Sequence, residues 1–129
     1  MGKAAAKKGD KITASDTHNI QPPSGQPVLT PGHPFSGILD DGLSTDVNIM
    51  GKPAATVDST ATNTPPHVAI GGTFVNPPSN KGKIAKGSTT VFINKKPAAR
   101  SGDTAMTCND PNDLPIGTVQ AEGTVNIGD

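Results

Sequence analysis

The chain matches itself at an offset of 44 residues. Ser44-Thr45-Asp46-Val47-Asn48-Ile49-Met50-Gly51-Lys52-Pro53-Ala54-Ala55 aligns with Ser88-Thr89-Thr90-Val91-Phe92-Ile93-Asn94-Lys95-Lys96-Pro97-Ala98-Ala99, with eight of twelve positions identical. Ala5-Ala6-Lys7-Lys8-Gly9-Asp10 matches Ala98-Ala99-Arg100-Ser101-Gly102-Asp103 at four of six positions, and Thr124-Val125-Asn126-Ile127-Gly128 echoes Thr90-Val91-Phe92-Ile93-Asn94. The two ends of the chain therefore carry the second and first halves of a third unit. A unit too short to bury its own apolar face must share a core with its copies, by stacking or by closing around an axis.

Each unit reads as β-structure. Thr90-Val91-Phe92-Ile93 is β-branched and aromatic, with Val91 and Ile93 on one face at period two. Asn94-Lys95-Lys96-Pro97 and Met50-Gly51-Lys52-Pro53 read as turns, Ala98-Ala99 and Ala54-Ala55 as return strands, and Ser101-Gly102-Asp103 as a closing turn. With 15 glycines, 13 prolines, no Trp or Tyr and only three Phe, the chain excludes a large aromatic core and a bundle of long helices. The expectation is one small all-β repeat domain of short hairpins over residues 1–129. Proline-rich inserts, Gln21–Pro27, Asn63–Pro66 and Asn76–Asn80, join the units as loops, since proline cannot donate to a central ladder.

Eleven basic residues balance eleven acidic ones, so the chain lacks the basic surplus of a nucleic-acid binder. No apolar run reaches the roughly 20 residues of a membrane-spanning helix. The basic start, Met1-Gly2-Lys3-Ala4-Ala5-Ala6-Lys7-Lys8, leads into Gly9-Asp10-Lys11 rather than an apolar segment, so no secretory signal is expected and export requires another route. Hydrophobic residues make up 32% of the chain, below the roughly 45–50% of ordinary domains even allowing for a count without glycine. One cysteine excludes an internal disulfide. A thin core without a disulfide calls for a metal, a partner or oligomerisation.

His18, His33, His67 and Cys108 are all the histidines and cysteines present, and together they form a tetrahedral donor set suited to zinc. His18 lies eight residues after Asp10, His67 nine after Asp58 and Cys108 five after Asp103, so three of the four follow equivalent unit ends. His33, in Pro31-Gly32-His33-Pro34, has no repeat counterpart. Four protein ligands close the site and favour a structural ion; without His33, a three-ligand site keeps a position open for water. The aspartates stand mostly beside Gly, Ser, Thr, Asn or Pro, which is turn chemistry. Glu122 is the one glutamate, and nothing marks it as a general base.

The unit Gly87–Asp103, with Pro97-Ala98-Ala99-Arg100 at its centre, Gly102-Asp103 after it and Ser88-Thr89-Thr90-Val91-Phe92-Ile93 before it, resembles the signature of the PAAR-repeat family. The resemblance runs through the divided repeats over nearly the whole chain. It implies a small conical domain, its hairpins about a pseudo-threefold axis and with no appended effector domain, that caps the trimeric β-helical spike, of the valine-glycine-repeat or phage type, in contractile injection machines such as type VI secretion systems, phage tails and related extracellular particles. It further implies one structural zinc near the apex, held by His18, His33, His67 and Cys108, and a membrane-piercing rather than enzymatic role. The protein would be loaded in the producing cell's cytoplasm, then sit on the extracellular particle or enter the target cell, with any effector cargo bound non-covalently. The second unit departs from the pattern, reading Pro53-Ala54-Ala55-Thr56 with Val57-Asp58 where the third has Gly102-Asp103; the first lacks the proline. Val47, Ile49, Val91, Ile93, Val125 and Ile127 are expected to divide between the interior and the spike contact. The alternative from another class is a small zinc hydrolase or toxin with an open His/Cys site.

Overall fold

The computed structural model describes residues 2–128; Met1 and Asp129, the ends of the expected domain, lie outside the described residues. Among the described residues all regular structure is β, in strands β1 (Lys3–Ala4), β2 (Lys11–Gln21), β3 (Val28–Asp41), β4 (Asn48–Ile49), β5 (Lys52–Pro53), β6 (Thr60–Asn63) and β7 (Thr73–Phe74). These are followed by β8 (Lys81–Ile84), β9 (Phe92–Ile93), β10 (Lys96–Pro97), β11 (Thr104–Thr107), β12 (Leu114–Gln120) and β13 (Asn126–Ile127). Six of them, β2-β3-β6-β8-β11-β12, pair antiparallel in that order, and β12 closes on β2 to make a small barrel. Short β7 hydrogen-bonds to the far end of β2.

Three two-stranded hairpins form a second layer: β4-β5, β9-β10 and β1-β13, the last assembled from opposite ends of the sequence. The turns are tighter than the sequence suggested. Met50 and Gly51 (φ 51° and 81°) and Asn94 and Lys95 (φ 53° and 69°) make the whole of each turn, with the paired φ > 0 residues that match the strand twist. Lys96 and Pro97 already pair with Ile93 and Phe92.

The layers meet on a pseudo-threefold axis of alanines. The Ala6 N–H donates to the Ala99 carbonyl (2.9 Å), Ala99 to Ala55 (3.1 Å), and Ala55 back to Ala6 (3.0 Å). A parallel ring runs Lys8 to Pro53, Val57 to Pro97 and Ser101 to Ala4 at 2.8–3.0 Å. Ala5, Ala6, Ala54, Ala55, Ala98 and Ala99 are buried because only a methyl group fits where three backbones converge.

The same symmetry corrects the register of the second unit. The N–H groups of Gly9, Asp58 and Gly102 donate to Leu39, Ile84 and Val119, so Asp58, not Val57, stands at the glycine position. It adopts φ 78°, beside 92° and 90° for the two glycines. Asp is among the few residues that tolerate that left-handed region. Ser59 then replaces the aspartate: its Oγ accepts the Thr56 N–H (3.0 Å), as Asp10 Oδ2 accepts Lys7 N–H (3.1 Å) and Asp103 Oδ2 accepts Arg100 N–H (2.7 Å). Aspartates 10 and 103 thus do the turn work expected of them.

Two apolar clusters fill the layers. Ile49, Ile93 and Ile127 pack with Ala5, Ala54 and Ala98 under the hairpins, with Val91 half-buried beside them. Val47, Val125, Met50 and Phe92 remain exposed, which divides the six repeat aliphatics between interior and surface. In the barrel, Phe35 packs with Ile12, Leu39, Ile84 and Val119. Gly37 and Gly82 make room for its ring: a Cβ on Gly82 would stand 3.1 Å from Cζ.

Candidate metal centre

Beyond the barrel core, β2 and β3 continue to the end opposite the hairpins. On β2 the buried or half-buried face reads Ile12, Ala14, Asp16, His18, Ile20 at period two. On β3 it reads His33, Phe35, Gly37, Leu39. His33, although flanked by Pro31 and Pro34, therefore lies inside a strand, opposite Asp16. Pro31 and Pro34 are tolerated because this part of β3 pairs on one side only, as an edge; β6 joins at Gly37.

His67 sits in the loop after β6. Its N–H donates to Asn80 Oδ1 (2.8 Å), and the Asn63 amide donates to the Asn80 carbonyl (2.8 Å), so the proline-rich loops are tied to one another. Cys108 directly follows β11. The next two residues clip that segment to β2: Asn109 Oδ1 accepts from Thr17 N–H and Asp110 Oδ2 from Asn19 N–H, both at 2.7 Å.

These elements bring Asp16, His18, His67 and Cys108 together, all buried, each with a ligand atom within 4.8 Å of the others. Cys108 Sγ is 3.9 Å from His18 Nε2 and 3.7 Å from Asp16 Oδ2. Asp16 Oδ2 lies 2.8 Å from His67 Nε2. His33 stands just outside the group, its ring edge-on to His18 and His67 at centroid distances of 5.3 and 5.9 Å. Its Nε2 accepts a long hydrogen bond from Ile70 N–H (3.3 Å). The structure thus unites His18, His67 and Cys108 with a residue the sequence reading missed. Asp16 was grouped with the turn aspartates, yet it lies mid-strand, in phase with His18; that alternation was the available signal.

The electrostatics suit a cation. Burial, followed by the nearby His67, holds His18 below the ordinary imidazole value. Burial pushes the Cys108 thiol up to about 11. The Nδ1 atoms of His33 and His67 are buried with no hydrogen-bond partner, a costly arrangement that a bound metal would relieve; His18 Nδ1, also without a hydrogen bond, lies 3.5 Å from Asp110 Oδ2. Imidazole nitrogens with one thiol are donors that zinc and other transition metals accept. Glu122 is remote from this centre; its carbonyl receives the Lys7 ammonium in the hairpin layer.

Lys7 and Arg100 also prove equivalent. Each bonds the aspartate three residues on, Lys7 Nζ to Asp10 at 3.1 Å and Arg100 Nη2 to Asp103 at 2.8 Å, and each reaches a carbonyl of a neighbouring strand segment, Glu122 or Gly128. The arginine of the repeat is thus an internal strut, replaced by lysine in one unit and by the neutral Thr56/Ser59 pair in another.

No curated protein matches the sequence. The PAAR motif matches it over residues 1–111 and 75–129, which together span the whole chain. The chain, with its three quasi-equivalent units about one axis, belongs to the PAAR motif family.

Proposed function

We propose that this protein is the tip of the central spike of a contractile injection machine, seated by its hairpin layer on a trimeric β-helical spike and stiffened at the other end by one structural zinc. The observation that carries the reading is the closed ring of Ala6, Ala55 and Ala99 hydrogen bonds. It organises three hairpins into a base whose pseudo-threefold symmetry matches a threefold partner. Val47, Met50, Phe92 and Val125 give that base an exposed apolar contact.

The opposite end suits brief passage through a membrane. Residues 17–39 and 59–80 contain no Lys, Arg, Asp or Glu, and Val28, Leu29, Val68, Ile70 and Val75 are exposed there. Stretches without charged side chains lower the cost of entering hydrocarbon there, with Asp110 and the exposed Asp113 on the neighbouring segment as the charges of that end. His18, His67 and Cys108, with His33 as the fourth donor, would hold the zinc. Such an ion contributes directly to folding free energy where the apolar core is thin. The role is structural, not enzymatic. Assembly in the producing cell's cytoplasm and release on the particle belong to the same reading.

The test is reconstitution with the trimeric spike of the same machine, alongside elemental analysis. One tip per trimer, lost in Phe92→Asp with the fold retained, and about one zinc per chain are the expected results. Failure of the folded protein to bind the spike overturns the tip assignment; protein purified without chelator and lacking stoichiometric metal overturns the zinc.

A further inference from the structure

Asp16 carries more than its place in the metal cluster. It is fully buried, and both of its carboxylate oxygens have polar partners. Oδ1 accepts from Thr107 Oγ1 (2.5 Å) and Asn109 Nδ2 (3.2 Å). Oδ2 faces His67 Nε2 at 2.8 Å, with both side chains shut off from solvent. Asn109 is itself held, donating to the Thr107 carbonyl (3.1 Å) and accepting from Thr17 N–H (2.7 Å). The carboxylate is thus clamped before any ion arrives.

We infer that Asp16 is a positioning residue of the metal centre: it accepts the His67 Nε2 proton, turns His67 Nδ1 into the ligand atom, and balances the charge of the bound ion. This rests on the zinc reading above. Two ligand atoms about 2.0–2.1 Å from a tetrahedral ion stand roughly 3.3 Å apart. The 2.8 Å between Asp16 Oδ2 and His67 Nε2 is shorter than that and is a hydrogen bond, which assigns the proton to Nε2. His67 Nδ1 is then the free lone pair, and it is the buried atom without a partner. Such carboxylate–histidine–metal relays fix the tautomer and raise ligand basicity.

Charge gives a second, independent reason. A divalent ion on neutral imidazoles and one thiolate leaves a net +1. An Asp16 carboxylate, fully buried beside the ion, would bring that centre to zero. Asp110 does not serve as well: it is partly exposed at the rim, with Oδ2 3.5 Å from His18 Nδ1.

The experiment measures zinc affinity by chelator competition, and the visible spectrum of the cobalt-loaded protein, for the full chain and Asp16→Asn. Asparagine keeps the shape but loses the charge. Zinc binding weaker by about 10–100-fold, with the tetrahedral cobalt bands and thiolate charge-transfer band retained, is expected. Thr107→Ala removes one clamp and no ligand; a smaller loss in the same direction is expected and serves if Asp16→Asn does not fold. Unchanged affinity in the folded variants overturns the inference. So does a cobalt spectrum reporting a changed coordination number, which would make Asp16 a ligand. Equal loss of melting temperature with and without metal, at unchanged affinity, would make it merely structural. If the unaltered protein binds no zinc, the zinc reading falls and this inference with it; unaltered binding in the variants removes this inference alone.

Discussion

The ring of Phe35 lies so close over Gly37 that a Cβ there would stand 2.7 Å from its Cε1. Phe35 is the one phenylalanine of the buried barrel core, and it fits because the strands around it carry glycine at positions 37 and 82. Gly37→Ala should therefore overpack the barrel and cost about 1–3 kcal/mol. Phe35→Ala should cost about 3–5 kcal/mol by leaving a cavity in a core with little else to collapse into it. Urea unfolding of both variants checks the pair; a neutral Gly37→Ala would mean that the ring moves freely aside.

Two ion pairs of the repeats should behave in opposite ways. Arg100 and Asp103 are 11% and 5% exposed and joined by two hydrogen bonds. Asp103→Asn leaves the guanidinium short of its partner and should cost about 2–4 kcal/mol. Lys96 and Asp58 are 52% and 54% exposed at 3.7 Å, and Lys96→Ala should change stability by less than about 0.5 kcal/mol. Melting curves in low and high salt separate the two.

Gly102 has φ 90°, and its counterpart in the second unit is an aspartate. Gly102→Ala should destabilise by about 1–2 kcal/mol, because a Cβ is strained in the left-handed region. Gly102→Asn should cost less, as the aspartate at position 58 already shows the conformation to be open to such a side chain. Equal losses in the two variants would contradict this account of the second unit.

The metal-free protein should lose stability at both ends of the pH scale. Cys108 keeps its proton in the fold up to about pH 11, against 9.0 for the free thiol. Its contribution is complete below pH 9 and declines by up to about 2–3 kcal/mol as pH rises to 11. His18 is shifted the other way, so its contribution is present above pH 6.5 and lost as pH falls through its depressed folded value. Denaturation of the chelator-treated protein against Cys108→Ala across these windows measures the thiol part. A flat difference between pH 9 and 11 would rule it out.

Bound zinc should remove much of that dependence. The ion takes the thiolate and neutral imidazoles as ligands, so loading releases protons and raises the melting temperature. Calorimetric titration in buffers of different ionisation enthalpy counts the protons; uptake instead of release would contradict thiolate ligation.

The repeats in the sequence determined the architecture. Eight identities in twelve positions, together with the split third unit, were enough to anticipate hairpin units sharing one core, and the resemblance those units carry supplied the pseudo-threefold axis. Turn chemistry, small residues and period-two alternation are local, and each unit states them again. His18, His67 and Cys108 were legible for the same reason, since each follows a unit end. Tertiary structure alone decided the rest. Asp16 and His67 are 51 residues apart in sequence, and Asp16 and Cys108 are 92 apart. An aspartate beside serine and threonine looks the same in a turn as in a buried strand. What separates them is the loss of water, which depends on barrel closure and on the Cys108–Asp110 segment folding back over β2. The strand position of His33, already named as a donor, and the register of Asp58 were hidden likewise, the first by prolines that an edge strand accommodates, the second by a side chain occupying a conformation usually left to glycine.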